Sequence, residues 1–384
     1  MGRDNGKRIG IDVTSAVVQG GGIGRYTREL VRALAKVDNH NQYHLFSARP
    51  PRVLPVPDPL PAAGNFHYHP AWLSERWLYR LWYRLRLPLP VQWATGRLDL
   101  FHSPDFVLPP VRGSIPTLLT VHDLSFIHYP ETFPAGLVAY LNVVVPWSIS
   151  RATHILADSQ ATKDDLIKLW NVPEARITVL YSGVDGRFRP VTKGKALATV
   201  CRKYELGQAP YILSVGTLQP RKNYQMLIRA FRPLAAENPH NLVIAGGKGW
   251  LYDEMLAEVE RQGLIGRVHF VGFVADEELP ALYSGATLFA FPSLYEGFGL
   301  PLLEAMACGV PVLTSDASSL PEVVGEAAVL LSPLDETAWR DGMRWLLNDT
   351  AQRTHLVAEG FRQARRFTWR RAAEQLLGIY RYLT

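Results

Sequence analysis

Apolar residues in this chain come in short, bounded runs. Residues 8–13 (RIGIDV), 117–121 (TLLTV), 211–215 (YILSV), 241–245 (NLVIA) and 288–291 (LFAF) are each of strand length and flanked by Gly, Pro or polar residues, the pattern of buried strands. Between such runs the period changes. Residues 24–36 place Tyr26, Leu30, Val31, Leu34 and Ala35 on one helical stripe, residues 224–231 open another helix, and 367–383 read as an amphipathic helix. Residues 153–185 give strand, helix, strand, with Ser159 or Thr162 as the helix cap. Both halves therefore alternate β and α, which predicts two parallel α/β sheets. No internal repeat or low-complexity tract is evident.

One stretch departs from this rhythm. Residues 72–87 (WLSERWLYRLWYRLRL) read as a helix with Leu73, Trp77, Leu78, Leu81, Trp82 and Leu85 on one side and Arg76, Arg80 and Arg84 on the other. Two readings stand: a core-facing helix with a solvated Arg stripe, which is preferred, and an aromatic, basic helix resting on an anionic bilayer surface. Residues 50–64 are Pro-rich and read as a surface loop.

Length and composition narrow the classes. With 384 residues, 47% hydrophobic and 20% charged, the chain has room for two globular domains. A net charge of +6 suits phosphorylated substrates or anionic lipid, but without a dense Lys/Arg run it gives no support for nucleic acid. Cys201 and Cys308 form no C-x-x-C pair, so a reducing compartment is expected. The first residues carry no apolar signal core, and no run of 18 apolar residues occurs. The expectation is a cytoplasmic protein, with peripheral contact at the inner membrane face through 72–87 as the alternative noted above.

The chemistry concentrates in residues 291–311 (FPSLYEGFGLPLLEAMACGVP). Two acids, Glu296 and Glu304, stand eight residues apart around the turn Gly297, Phe298 and Gly299, and Pro301 suits the start of a helix that Gly309 and Pro311 end. Strand, Gly-rich turn and helix together aim backbone N–H groups and the positive helix end at an anion. Either acid alone reads as a solvated or dipole-pairing residue; both together favour a site. Upstream, Gly216 opens a loop holding Arg221 and Lys222 beside a helix start, a suitable diphosphate clamp. It is not a P-loop, because Arg rather than Gly precedes Lys222 and Asn223 replaces Ser/Thr. In the first half, Gly20, Gly21, Gly22 and Gly24 sit between strand and helix. They miss the G-x-G-x-x-G spacing, so NAD is disfavoured, and they read either as a close-approach loop or as a flexible turn. His122 and Asp123 fall at the end of the 117–121 strand, where parallel sheets bind ligands.

EGFGLPLLEAMACGVPV resembles the Glu-x7-Glu signature of retaining glycosyltransferases of family 4. The resemblance covers nearly the whole chain, strongest over 211–333 and weakest over 42–93. It implies an α/β, GT-B fold of two Rossmann-like domains facing a central cleft: an acceptor-binding domain over 1–188, joined by the final helix 367–384, and a nucleotide-sugar-binding domain over 189–366, with a crossover near 191–203. It further implies that Glu304 holds ribose hydroxyls, that Glu296 and His122 orient the sugar, and that Lys222, Arg221 and the amides of Gly297 to Leu300 stabilise the leaving diphosphate. Gly272, Phe273 and Val274 would contact the base through backbone groups. The family carries Arg directly after the loop's first glycine; here that position is Thr217, and Arg221 supplies the charge from four residues later. Gly22, Gly24 and Arg25, with Asp123, would face acceptor and donor phosphate. His102 and His128 are read as structural. The resemblance implies no cofactor and no metal, only a nucleotide-sugar co-substrate. The loop GTLQPRKN and the segment HDLSFIHYPETF look most like mannosyltransferases using GDP-mannose, with a saccharide or lipid-linked acceptor and another hexose donor as fallback. The alternatives are a nucleotide-sugar 2-epimerase of the same fold and a non-catalytic sugar-nucleotide-binding protein.

Overall fold

The computed structural model describes residues 6–51, 60–192 and 194–384. Most of the surface loop expected over 50–64 falls on residues 52–59, outside the described residues, as does Lys193 in the expected crossover. The chain divides into two units: residues up to Leu124, Ala139–Gly183 and Trp369–Thr384 form one, and Ser125–Val138 with Val184–Thr368 the other.

Among the described residues the first unit holds a parallel seven-stranded sheet. Its strands are β1 (Arg8–Asp12), β2 (Gln42–Arg49), β3 (Phe66–Ser74), β4 (Leu100–Ser103), β5 (Thr117–Val121), β6 (His154–Ala157) and β7 (Ile177–Val179), in the order β3-β2-β1-β4-β5-β6-β7. The order reverses between β1 and β4, so a crevice is expected beyond their carboxyl ends. The helix Gly22–Val37 buries Tyr26, Leu30, Val31 and Leu34, the stripe read from the sequence. The C-terminal helix Trp369–Leu383 buries Trp369, Ala372, Ala373, Leu376, Leu377 and Tyr380 at helical spacing and packs along it.

Two sequence expectations change here. Gly22, Gly24 and Arg25 lie inside the Gly22–Val37 helix, whose N-cap is Gly21, rather than in an open loop. The reason is packing: a Cβ on Gly24 would stand 2.3 Å from the Gln19 carbonyl oxygen and 2.7 Å from that of Ser15. Buried Arg28 then fixes the preceding turn through the Ala16 and Gln19 carbonyls. The helix expected over 72–87 begins only at Glu75, because 72–74 are drawn into β3 alongside β2. It runs as Glu75–Tyr79 and widens into a π-turn at Arg80–Arg84, where the Leu85 N–H reaches back five residues to Arg80. Leu78 and Trp82 are buried, whereas Trp72, Trp77, Leu85, Leu87, Leu89 and Trp93 are exposed, beside Arg76, Arg84 and Arg86.

The described part of the second unit holds a parallel six-stranded sheet of β8 (Tyr211–Val215), β9 (Asn241–Ala245), β10 (Val268–Gly272), β11 (Leu288–Phe291), β12 (Val312–Ser315) and β13 (Ala328–Leu331), ordered β10-β9-β8-β11-β12-β13. Both faces of its central strands are covered, which is why they are largely apolar. Side-chain alternation divides them between two cores. Tyr211, Leu213, Val243, Phe289 and Val312 enter one, and Ile212, Leu242, Ile244, Leu288 and Leu313 the other. The order reverses between β8 and β11, placing their carboxyl ends at the second unit's switch point.

Candidate functional site

In the second unit, the loops after β8 and β11 meet. After β8 come Gly216 and Thr217, then a short 3₁₀ turn at Pro220–Lys222 and Asn223 in the left-handed region (φ 57°), from which the helix Tyr224–Glu237 starts. A Cβ on Gly216 would press on the Tyr224 hydroxyl at 2.9 Å and on Lys222 Cε at 3.1 Å. After β11 the chain turns through Glu296 to Gly299, whose φ of 103° excludes side-chained residues and which caps the helix Leu300–Ala307. Gly309 follows that helix with φ 76°.

These two loops bring three predicted residues together. Lys222 Nζ donates to Glu296 Oε1 at 2.5 Å, and Arg221 pairs with Glu296 Oε2 at 3.0 Å. Arg221 also donates to the Tyr295 carbonyl, and Lys222 Nζ lies 5.0 Å from the centre of the Phe291 ring. All three ionic residues are buried. Burial alone would raise the Glu296 pKa; Arg221 and Lys222 outweigh it and bring it down to about 2. One carboxylate thus answers two cations, leaving the trio with one positive charge beside a helix start. Such a cluster can exchange part of its internal pairing for phosphate oxygens.

Glu304, on the first turns of the Leu300–Ala307 helix, is 2% exposed and accepts a 2.8 Å hydrogen bond from the Tyr283 hydroxyl. Ser318 and Ser319 hold the turn from the far side. The Glu296 N–H donates to Ser318 Oγ, and Ser319 Oγ donates to the carbonyls of Glu296 and Phe298. Phe298 and Leu300 pack into the core around Phe367 and Leu320. At the end of β10, Gly272 has φ 71°, Phe273 is exposed and Val274 is buried. His128 groups with this unit and stacks on Tyr295 at 4.9 Å, next to Glu296. Trp250 donates to the Thr132 carbonyl and fixes the same segment. Tyr283, Ser318, Ser319 and Tyr295 were not legible as site residues, because each acts across a long sequence separation through hydrogen bonds or ring contacts.

In the first unit, His122 stands one residue past β5. Its Nδ1 lies 2.7 Å from Asp158 Oδ2, and its Nε2 donates to the Pro104 carbonyl at 3.2 Å. Tyr26 and Phe106 present their rings edgewise to it, at 5.0 and 5.4 Å. Burial pulls the imidazole pKa down, but the carboxylates of Asp158 and Asp105 outweigh it and raise it to about 9. The ring is therefore held as imidazolium, with both nitrogens donating. Asp158 carries no motif of its own. The signal was its place: β5 and β6 register Val121 with Ala157, so the next residues along, His122 and Asp158, face each other. Asp123, half-buried, follows His122, and Arg25 lies on the Gly22–Val37 helix. His102 bonds Tyr380 and Thr120 and ties the C-terminal helix to β4 and β5. Among the described residues, no three His, Cys, Asp or Glu side chains are placed to hold a metal ion, and no helix is long and apolar enough to cross a membrane.

Two family models match the chain: "Glycosyltransferase Family 4" over residues 20–187 and "Glycosyl transferases group 1" over 202–363. O-antigen chain mannosyltransferase B of Escherichia coli is 35% identical over 371 residues, which is 94% of this chain and 96% of that protein. Among solved structures, sucrose-phosphate synthase from Thermosynechococcus elongatus superposes with a TM-score of 0.76 at 21% identity, covering 98% of this chain and 99% of that one. HepE of Anabaena, solved with UDP and glucose, gives 0.75 at 18%, covering 98% and 100%.

Proposed function

The chain belongs to the glycosyltransferases of family 4 and group 1, with their GT-B fold, and from that premise we propose that it moves mannose from GDP-mannose to a saccharide acceptor with retention of anomeric configuration. The observation that carries the mannose assignment is the identity to an O-antigen chain mannosyltransferase along nearly the full length of both chains. The epimerase and non-catalytic readings are not favoured by these relatives.

The second unit takes the donor in this reading. The diphosphate binds over the Gly297–Gly299 turn and draws Lys222 and Arg221 from Glu296; Glu304, steadied by Tyr283, accepts from ribose hydroxyls. As the glycosidic bond breaks, negative charge gathers on the diphosphate, and the two cations are already in place to stabilise it. Glu296, once released, is an acceptor for sugar hydroxyls. The backbone of Gly272 to Val274 contacts the base. In the first unit, His122 orients the transferred sugar by exchanging its Nε2–H bond to the Pro104 carbonyl for one to a sugar hydroxyl, while Asp158 holds Nδ1. No metal or cofactor is part of the proposal. The exposed Trp and Leu side chains of 72–93, with their arginines, support peripheral contact with an anionic membrane, and with it an acceptor carried on lipid.

The test is release of GDP from GDP-mannose with and without a mannose-terminated acceptor, beside parallel reactions with UDP-glucose. Lys222→Ala should lower turnover by roughly 100- to 1,000-fold, the usual cost of one lost electrostatic donor. Full activity in that variant would remove the clamp assignment. Release of UDP in place of GDP would replace the donor.

A further inference from the structure

The segment after His122 carries a second histidine, His128, that the donor chemistry does not use. Ser125–His128 forms a short helix, and the turn after it is closed by the Thr132 N–H and hydroxyl, which both donate to the Tyr129 carbonyl. Residues 125–138 group with the second unit and are held there at two points. Trp250, in the loop after β9, donates to the Thr132 carbonyl at 2.8 Å and packs its ring against Phe133. Tyr295, in the loop after β11, stacks on His128 with the two rings 18° from parallel. β8 runs between β9 and β11. The segment therefore ties together the loops on either side of the strand that leads to Arg221 and Lys222.

Packing alone does not account for His128. Its side chain is exposed, whereas the Tyr295 ring it stacks on is 7% exposed. Tyr295 in turn carries the main chain that meets Arg221. The Leu294 N–H donates to the Arg221 carbonyl at 2.9 Å, and the Arg221 guanidinium donates to the Tyr295 carbonyl. The guanidinium also pairs with the Glu296 carboxylate at 3.0 Å. These two acceptors differ in what a donor does to them. A diphosphate competes with the carboxylate for the cation, while the neutral carbonyl goes on accepting from another N–H of the same guanidinium. The Tyr295 carbonyl is then the contact that directs Arg221 when nucleotide is bound. Where that carbonyl sits depends on what holds the Tyr295 ring.

We propose that His128 is a positioning residue of the donor site: its ring holds Tyr295 and, through the Tyr295 carbonyl, aims Arg221 at the diphosphate. The proposal rests on the reading of Arg221 as part of a diphosphate clamp. It asks for a flat ring at position 128 and not for imidazole chemistry, which separates it from a role in touching the sugar.

The full chain, His128→Ala, His128→Phe and Arg221→Ala would be titrated by calorimetry with GDP and, in parallel, with UDP, and turnover of GDP-mannose would be followed beside it. His128→Ala should weaken nucleotide binding and lower kcat by about five- to tenfold, near the upper end of what one ring pair contributes, with the acceptor KM unchanged. His128→Phe keeps the flat face and should stay within about twofold of the parent. In the Arg221→Ala background, adding His128→Ala should cost less than about twofold, because two residues that act through one contact are not additive. His128→Leu has bulk without a flat face; it should show the alanine variant's loss, and it decides the matter if the alanine variant does not fold. Parent-level nucleotide affinity in His128→Ala, a phenylalanine variant as weak as the alanine one, or an undiminished His128→Ala loss on top of Arg221→Ala would overturn the proposal. Failure of the clamp reading looks different and takes the proposal with it: Arg221→Ala itself then binds nucleotide as the parent does. If the binding differences hold but no GDP is released from GDP-mannose, the positioning role stands and the transferase reading falls.

Discussion

At the scale of single residues, the informative feature is that Glu296 pairs with both cations assigned to phosphate. Removing one member of a buried ion trio leaves uncompensated charge, at a cost of about 3–5 kcal/mol. Glu296→Gln should therefore lower the stability of the unliganded protein by that order in a urea titration. GDP should offset much of the loss, because its phosphates replace the missing carboxylate, so GDP affinity should hold or tighten while turnover falls. Weaker GDP binding in this variant would mean that Glu296 helps hold the diphosphate instead of competing with it. The pH dependence has a definite sign. The folded Glu296 pKa is depressed to about 2, so its contribution is complete above about 4.5 and is lost as pH falls toward 2. His122 runs the other way. Its folded pKa is raised to about 9, so its contribution is complete below about 6.5 and is lost as pH rises through 9. In Asp158→Asn, the His122 titration followed by NMR should move down from about 9 toward or below the ordinary value, and the alkaline limb of activity should move with it. An unmoved titration would assign the raised pKa to another group. The sequence showed Glu296, Lys222 and His122, because each stands in a recognisable motif. It concealed Asp158 and Tyr283, whose roles exist only once strand order and helix packing place them beside a partner.

At the scale of elements, strand runs and the Gly22–Val37 stripe were legible because burial on one or both faces imposes its period on the sequence. Two local readings failed for the same reason: tertiary contact outranked local pattern. The glycines before Arg25 signalled a loop, but Gly24 is needed inside the helix for close approach to the Ser15 and Gln19 carbonyls. Residues 72–74 continued a helical pattern, but β2 offered a strand partner. What remains of the amphipathic segment buries only Leu78 and Trp82 of its expected apolar face and leaves Trp77 and Leu85 in solvent beside Arg76 and Arg84. Apolar exposure rimmed by arginine is what the proposed membrane contact would use. Each Arg near an anionic surface contributes about 1 kcal/mol. Arg76→Gln, Arg80→Gln and Arg84→Gln together should then weaken binding to vesicles containing phosphatidylglycerol roughly 100-fold, with catalysis on a soluble acceptor unchanged. Cosedimentation measures this directly. Equal binding of parent and triple variant, or no binding by the parent, would leave 72–93 as ordinary surface.

At the scale of the whole molecule, the two sheets belong to separate compact units, and the groups assigned to the nucleotide lie in the second. Donor binding should therefore stabilise that unit first. For a ligand at 100 times its dissociation constant, linkage gives about 2.7 kcal/mol. For a unit of this size that corresponds to a rise in midpoint of roughly 5–11 °C. Heating the intact chain with GDP, UDP, ADP and NAD in turn reads out which nucleotide the second unit selects. If the units melt separately, the shift should appear in one transition and leave the other in place; if they melt together, the single transition should move by less. A shift with GDP alone fits GDP-mannose as donor. A shift with UDP or ADP keeps the fold and the clamp but changes the base recognised around Gly272 to Val274, the one part of the site where backbone contacts leave no trace in the sequence. A shift with NAD alone would contradict the reading of the glycine turns. The Lys222→Ala variant supplies the internal control. Losing the clamp should shrink the nucleotide shift without moving the midpoint of the transition that nucleotide leaves untouched, and a variant that keeps the full shift would place the diphosphate somewhere other than the loops after β8 and β11.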